Sequence, residues 1–199
     1  MNRIEKTFSI LKGKNKKALV VFLTAGYPDI RTTEKLIIEI AEYVDVIELG
    51  IPFSDPIADG PTIQYSSNEA LKKDINIGKI FSIVENARRK TDVPIVLMGY
   101  SNPIYNFGLK NFFEGAKKSG VDGIIVPDLP NEESDEIKKL ARDYNIATIP
   151  IIALTTAGGR AERIAANSTG FIYVTAVTGI TGARKNISDD LIPYLTMMR

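Results

Sequence analysis

Two carboxylates, Glu48 and Asp59, are the residues of this chain whose type and setting best fit chemistry. Glu48 stands at the end of an apolar run, residues 44–49, and Asp59 follows on a loop rich in proline and glycine. A charge that leaves water is costly unless it is compensated, so a carboxylate at the end of a buried strand needs a reason. Parallel α/β proteins bind ligands at the carboxyl ends of their strands. The spacing therefore suggests that Glu48 and Asp59 face one substrate from two sides.

A structural role is the alternative for the same residues. Asp55 and Asp59 would then cap turns in a loop that proline stiffens, and Glu48 would form a salt bridge. Spacing alone does not separate this alternative from a catalytic pair, because structural ion pairs and active sites use the same residue types.

The composition narrows the possible chemistry. The chain has 199 residues, of which 44% are hydrophobic and 25% are charged, as is typical of one globular domain. The net charge is +1, and the basic residues are scattered, so nothing indicates a nucleic-acid or basic membrane surface. The sequence contains neither cysteine nor histidine, which removes disulfides, thiolate metal sites and the commonest general base. Acid–base chemistry would have to use carboxylates, tyrosine or lysine.

The sequence also bears on location. The first residues, MNRIEK, lack the apolar core of a signal peptide. No apolar run approaches the ~20 residues that a membrane-spanning helix needs. We therefore expect a cytoplasmic protein.

Strands and helices alternate along the chain. Apolar runs of strand length predict six strands, at residues 18–23, 44–49, 94–98, 123–126, 146–152 and 171–175. Helical spacing predicts helices at residues 3–12, 32–43, 62–72, 77–90, 109–119 and 131–143, another ending at residue 166, and a last one capped by Ser188. Asn102-Pro103 is expected to break the chain, and Asn131 to be an N-cap. Such alternation is typical of parallel βαβ units with helices outside.

Two architectures fit this α/β pattern, an open doubly wound sheet and a barrel. The first strand is not followed by a glycine-rich dinucleotide fingerprint, and no phosphate loop is present, which weakens the case for a nucleotide-binding sheet. A barrel usually needs about 250 residues. At the spacing seen here, a barrel would lack its last two units and end within or after the sixth helix.

Five segments carry a resemblance to a known family. The run IELGIPFSDPIADGP, residues 47–61, resembles the signature of the tryptophan synthase alpha subunit. Shorter segments are similar in the same order: FLTAGYP (22–28), MGYSNP (98–103), VPDLP (126–130) and TGITG (178–182). The resemblance extends from the first helix to Arg199. It implies a TIM (β/α)8 barrel, with residues 1–199 as a single, incomplete domain that lacks strands seven and eight.

The resemblance also implies an activity. Family members are carbon–carbon lyases of tryptophan biosynthesis that cleave indole-3-glycerol phosphate to indole and glyceraldehyde 3-phosphate. They have no cofactor of their own, and they form an alpha2-beta2 heterotetramer with a pyridoxal-phosphate-dependent beta subunit that consumes the indole. This retro-aldol cleavage protonates indole C3 and removes a proton from the side-chain hydroxyl, which two carboxylates can do without histidine.

The resemblance assigns roles to individual residues. Glu48 is the acid–base group, and Asp59 lies at the indole N–H, where it stabilises developing positive charge. The positions that match substrate contacts are Phe22, Ile63, Tyr100, Ile125, Ile151 and Tyr173. Each of them, taken singly, is more often part of a plain core. Tyr173, at the end of the sixth strand, is the one most expected to face the ligand.

Two more sets of positions match loops of the family. Thr181 and Gly182 lie in a segment that resembles the mobile loop after the sixth strand, whose closure excludes water. Thr181 matches a threonine that pairs with the aspartate at Asp59, and Gly182 matches a glycine whose amide binds phosphate. Without the resemblance, a flexible surface loop is the preferred interpretation. Asp55 and Pro56 match contacts with the beta subunit.

The length of the chain qualifies these expectations. The family's phosphate site is built mainly by the loops after strands seven and eight. Phosphate anchoring usually supplies binding energy that positions the reacting end, so we expect this polypeptide alone to bind substrate poorly and turn it over slowly or not at all. Strands one and six would be open, apolar edges that favour association. A non-catalytic partner that modulates the beta subunit is the alternative function, although the presence of both Glu48 and Asp59 favours the enzyme.

Overall fold

The computed structural model describes residues 1–175 and 188–197. The strands in this part of the chain are β1 (Val20–Thr24), β2 (Val46–Gly50), β3 (Ile95–Met98), β4 (Gly123–Ile125), β5 (Ala147–Thr148), β6 (Ile151–Ala153) and β7 (Tyr173–Thr175). The helices are α1 (Arg3–Gly13), α2 (Ile30–Ile40), α3 (Pro61–Leu71), α4 (Ile77–Arg88), α5 (Ser101–Phe107), α6 (Leu109–Ser119), α7 (Asp135–Asp143), α8 (Gly158–Ala166) and α9 (Leu191–Met197). None of these helices has the length and apolar character that crossing a bilayer requires.

The strands pair in parallel, in sequence order. One five-stranded sheet has the order β1-β2-β3-β4-β5, and β6 and β7 form a second, two-stranded sheet. The register places Glu48 of β2 between Phe22 of β1 and Val96 of β3. Because register partners in neighbouring strands point to the same face, these three side chains share one face of the sheet. The predicted parallel α/β architecture is confirmed.

Both faces of the sheet are buried. On the outer face, Ile47 and Leu49 of β2 belong to a large apolar core that they share with the surrounding helices. On the inner face, Val46 of β2 packs in a smaller cluster with Val96 and with Ile4 of α1. Successive residues of a strand point to opposite faces, so β2 contributes to both cores. This double burial explains why the strands read as continuous apolar runs rather than as alternating ones.

Helix α1 closes the amino-terminal end of the sheet. Ile4 is fully buried, and a Cβ added at Gly123 would lie 3.0 Å from its Cδ1 atom. The neighbouring Arg3 donates hydrogen bonds of 3.3 Å to Asp92 and 3.1 Å to Asp122. Asp122 directly precedes β4 and Asp92 lies on the segment that leads into β3, so α1 lies at the end of the sheet opposite to the carboxyl ends of the strands.

The predicted fifth strand, residues 146–152, is divided in two. Pro150 lies between β5 and β6 and has no N–H to donate to a neighbouring strand. Its carbonyl accepts a hydrogen bond of 3.0 Å from the N–H of Tyr173. The chain therefore changes partner at this point, since β5 pairs with β4 and β6 pairs with β7.

Two local predictions are wrong. Asn102-Pro103 does not break the chain but lies in the first turn of α5, where a proline without an N–H is tolerated. Asn131 does not cap a long helix but begins a short 3-10 helix, Asn131–Glu133, ahead of α7. Its side chain accepts a hydrogen bond of 2.6 Å from Nζ of Lys138 instead.

Candidate active site

Glu48 is the middle residue of β2, not at its end as predicted, because the strand continues to Gly50. Its side chain is buried in the inner face of the sheet. Only 5% of the residue is exposed, between the register partners Phe22 and Val96. Burial raises the pKa of Glu48 to about 7, because desolvation disfavours the charged form of a carboxyl group. At neutral pH the acid and the base forms are both populated, which is what a group that must donate and accept protons requires.

The Oε1 atom of Glu48 has no hydrogen-bond partner within the described residues. None of the ion pairs in residues 1–175 and 188–197 includes Glu48, so this part of the chain shows no sign of the salt bridge considered as its structural alternative. Buried polar atoms are nearly always paired, and an exception calls for an explanation. A ligand that supplies the missing donor is one such explanation.

Asp59 lies half-buried on the loop between β2 and α3. The hydroxyl of Tyr100 donates a hydrogen bond of 3.1 Å to its Oδ2 atom and accepts one of 3.0 Å from the N–H of Ala58. Burial raises the pKa of Asp59, and the hydrogen bond from Tyr100 opposes this effect. The side chain of Tyr100 therefore holds Asp59 in place, a contact that the sequence does not predict.

Other apolar positions predicted to bind substrate, from both sheets, pack in the inner cluster that contains Val46 and Val96. Ile125 of β4 is fully buried in this cluster, and Ile151 and Tyr173 are partly buried against it. Tyr173 is the first residue of β7, not the end of its strand as predicted. Burial raises the pKa of Tyr173, and the negative charge of Glu48 raises it further. The electrostatic influence of Glu48 on Tyr173 indicates that these two side chains are close to each other. Phe22 lies on the same face of the sheet as Glu48, because the two are register partners.

Ile63 stands apart, in the first turn of α3. Its carbonyl accepts a hydrogen bond of 3.0 Å from Oγ of Ser66, and that Oγ lies 2.7 Å from Oγ1 of Thr24. This pair of contacts ties α3 to the carboxyl end of β1. Ile63 is thus placed at the end of the sheet where the Asp59 loop begins, and its side chain is half-buried.

Of the loop residues predicted to contact the beta subunit or the phosphate, the structure describes Asp55 and Pro56. Asp55 is exposed, whereas Pro56 is buried and offers little surface to a partner in this structure. Thr181 and Gly182 lie outside the described residues, and the predicted loop at 178–182 lies there with them.

Clefts that open on the described residues include two that are lined by neither Glu48 nor Asp59. One, of about 310 Å³, lies between the loop after β4 and helix α8, and Ile151 is among its lining residues. The other, of about 420 Å³, lies between the loop that contains Phe53 and the helices α4 and α5. That Glu48 and Asp59 face one substrate from two sides therefore stays a prediction.

Comparisons with known proteins bear on the family. The family model for the tryptophan synthase alpha chain matches residues 8–199. The tryptophan synthase alpha chain of Thermoanaerobacter pseudethanolicus is 48% identical over 196 residues, which are 98% of this chain and 74% of that one. The solved alpha chain from Legionella pneumophila is 33% identical, with a TM-score of 0.89 that covers 100% of this chain and 72% of that one. A solved tryptophan synthase a2b2 complex from Pyrococcus furiosus matches at 45% identity and a TM-score of 0.84, covering 90% and 73%.

These similarities extend over nearly the whole chain, which spans about three quarters of the length of the relatives. The structural matches confirm the predicted fold class, because the strands and helices described above superpose on those of tryptophan synthase alpha chains, which are TIM-barrel proteins. The family model and the sequence identities agree with the structural matches. This chain belongs to the tryptophan synthase alpha chain family.

Proposed function

We propose that this chain cleaves indole-3-glycerol phosphate to indole and glyceraldehyde 3-phosphate, as the lyase component of a tryptophan synthase. The observation that carries the proposal is the state of Glu48. It is a buried carboxyl group whose pKa is raised to about 7 and whose Oε1 atom has no partner in the described residues. It also occupies the position that the family resemblance assigns to acid–base catalysis.

The proposed reaction needs one proton to move between two sites of the substrate. Glu48 in its acid form gives a proton to indole C3, and the bond between C3 and the side-chain carbon breaks. Glu48 as a carboxylate then takes the proton of the side-chain hydroxyl, whose oxygen becomes the aldehyde oxygen. Asp59, held by Tyr100, accepts a hydrogen bond from the indole N–H and stabilises the positive charge that protonation places on the ring.

The partner and the setting are part of the proposal. Membership of the family and the a2b2 assembly of the Pyrococcus furiosus protein support a complex with a beta subunit. The exposed Asp55 is the residue proposed to contact it. We propose that pyridoxal phosphate is bound by that beta subunit, that this chain has no cofactor of its own, and that the complex works in the cytoplasm.

A direct assay of indole release tests the proposed function. The chain is mixed with a tryptophan synthase beta subunit and indole-3-glycerol phosphate, without serine, and indole and glyceraldehyde 3-phosphate are followed over hours. We expect Glu48→Gln to lower the rate of indole release about 10²–10⁴-fold, the usual contribution of a general acid–base group. Glu85→Gln, an exposed position on α4, is the matched control and should leave the rate unchanged.

Two outcomes would contradict the proposal. If Glu48→Gln keeps the wild-type rate, the catalytic assignment of Glu48 is wrong. If the wild-type chain releases no indole but still stimulates the beta subunit, the non-catalytic alternative is correct for this chain.

A further inference from the structure

The segment VPDLP, residues 126–130, carries a carboxylate that the proposed reaction does not use. We propose that Asp128 is a positioning residue that fixes Asp59 through Ser101 and Tyr100. The inference rests on the proposed function, in which Asp59 accepts the indole N–H. It is carried by hydrogen bonds that join the loops after three neighbouring strands, β2, β3 and β4.

Asp128 lies on a turn just after the carboxyl end of β4. The N–H of Leu129 donates a hydrogen bond of 3.3 Å to the carbonyl of Val126, which closes a turn with Pro127 and Asp128 at its centre. Proline at the second position of such a turn restricts its backbone in advance. Because β4 pairs with β3, this turn lies beside the residues that follow β3.

Asp128 forms a double hydrogen bond with Ser101, the first residue of α5. Oδ1 of Asp128 accepts the N–H of Ser101 at 2.9 Å, and Oδ2 accepts its hydroxyl at 2.7 Å. The first N–H groups of a helix have no partner inside the helix, and no side chain of the N-cap residue satisfies this one. One carboxylate thus fixes both the main chain and the side chain of Ser101, through hydrogen bonds of the stronger, charge-assisted kind.

Tyr100, the residue that precedes Ser101, is 4% exposed. Its ring packs against Phe53, with 5.4 Å between the ring centres, and its hydroxyl lies between Asp59 and the N–H of Ala58. Burial raises the pKa of Tyr100, and the charges of Asp59 and Asp128 raise it further against the opposing effect of Ala58. The hydroxyl therefore keeps its proton at neutral pH and can donate it to Asp59.

A plain helix cap is the competing account of Asp128. In that case its removal would loosen the start of α5 and lower stability, and Asp59 would keep its place. Positioning predicts an effect that passes beyond α5 to the loop after β2. The N–H of Ala58 reports on that loop, because its hydrogen bond goes to the same hydroxyl that holds Asp59.

Amide hydrogen exchange measured by NMR separates the two accounts. In Asp128→Asn, the side-chain amide cannot accept both hydrogen bonds from Ser101, so we expect the Ala58 amide to exchange at least about tenfold faster. Tyr100→Phe, which removes the acceptor outright, sets the upper limit. Asp143→Asn, at an exposed position of α7, is the control and should leave Ala58 unchanged. Faster exchange confined to α5, with Ala58 as in the wild type, would overturn the proposal.

Ligand binding gives a second, independent measurement. Indole and 1-methylindole differ at the N–H that Asp59 is proposed to accept, so the wild-type chain should bind indole more tightly. Asp128→Asn should reduce this preference severalfold while the affinity for 1-methylindole stays the same. A general loss of structure would weaken the binding of indole and of 1-methylindole alike. That result, or an unchanged preference for indole over 1-methylindole, counts against a positioning role for Asp128.

The outcomes also keep this proposal apart from the proposed function. If the wild-type chain does not prefer indole over 1-methylindole, the role given to Asp59 fails, and the exchange of Ala58 still decides whether Asp128 positions the loop. If Asp128→Asn does not fold, Ser101→Ala removes only the 2.7 Å hydrogen bond to Asp128 and leaves the N–H bond in place. It should then change Ala58 exchange and the indole preference in the same direction by a smaller factor, and the absence of both changes would overturn the proposal.

Discussion

The hydroxyl oxygen of Tyr100 lies 3.1 Å from Oδ2 of Asp59. The two residues are 41 positions apart and follow different strands, Asp59 after β2 and Tyr100 after β3. Their meeting depends on the parallel pairing of those strands, which brings both carboxyl ends to the same edge of the sheet. This contact gives a partly buried carboxylate a fixed direction, which is what the stabilisation of a charged ring requires.

Replacing Tyr100 by phenylalanine should raise the pKa of Asp59. The hydrogen bond from the tyrosine lowers that pKa, so its loss leaves the effect of burial unopposed. A hydrogen bond to a charged group is worth about 1.5–3 kcal/mol, so indole release should fall about 10- to 100-fold. The pKa is measured by carbon NMR of the aspartate carboxyls, with the exposed Tyr43→Phe as control. An unchanged or lower pKa of Asp59 would refute the expected effect.

Burial of Glu48 should make the stability of the protein fall as pH rises. The folded-state pKa is about 7 and the ordinary value is 4.5, so the folded chain holds this proton more tightly than the unfolded chain does. Below pH 4.5 the buried Glu48 does not lower the stability of the folded chain, because it is protonated in both states. The loss of stability grows as the pH rises from 4.5 to about 7. At about 1.4 kcal/mol for each pH unit between the two values, it reaches about 3 kcal/mol.

Glu48→Gln should therefore unfold at the same urea concentration as the wild type at pH 4 and should be about 3 kcal/mol more stable at pH 8. The measurement is the free energy of unfolding in urea at pH 4, 6 and 8 (three conditions suffice to show the trend). Glu85→Gln, at an exposed position, should show no such pH-dependent difference. A Glu48→Gln variant that is less stable than the wild type at pH 8 would contradict the assignment of an uncompensated buried carboxyl group.

Adding a methyl group at Gly50 should displace Phe22. A Cβ at this position would overlap Cζ of the Phe22 ring, so the ring has to leave its place on the inner face. We expect a loss of about 1–3 kcal/mol in stability, as for other overpacked cores, and weaker indole binding in titrations followed by fluorescence. Gly78→Ala is the control, because its Cβ would meet just one atom within 4 Å, Oδ1 of Asn76 at 3.4 Å. Equal behaviour of the two variants would show that the Phe22 ring has room to move.

Asp122→Asn should be strongly destabilising without touching the proposed site. The carboxylate of Asp122 pairs with Arg88 at 2.6 Å and Arg3 at 3.1 Å, and it accepts the N–H of Ile95 at 2.9 Å. The side chain of Arg88 is 9% exposed, so loss of the charge leaves a buried cation without its partner. The expected cost is about 3–5 kcal/mol in urea unfolding, against little change for Asp143→Asn. A cost no larger than that of the control would show that water replaces the lost charge.

The sequence contains enough information to predict the parallel strands and to single out Glu48 as an unusual carboxylate in a buried strand. Apolar runs such as that of β2 are continuous because both faces are buried, and a carboxylate within one of them is conspicuous for the same reason. The position of Pro150 could have indicated that the fifth strand is divided, because proline removes a donor from the sheet. The pairing of Tyr100 with Asp59 and of Ser101 with Asp128 could not be predicted locally. Both pairs depend on how separate strands align in space.

The position of Ile4 has a practical consequence. Its side chain packs against the inner cluster at the amino-terminal end of the strands, while Met1, three residues earlier, is 84% exposed. A purification tag or surface linker joined ahead of Met1 would emerge from the molecule's far side, away from the Asp59 loop. Immobilising the protein by that route should leave its reactive side turned towards the bulk solution, provided that α1 itself is kept whole.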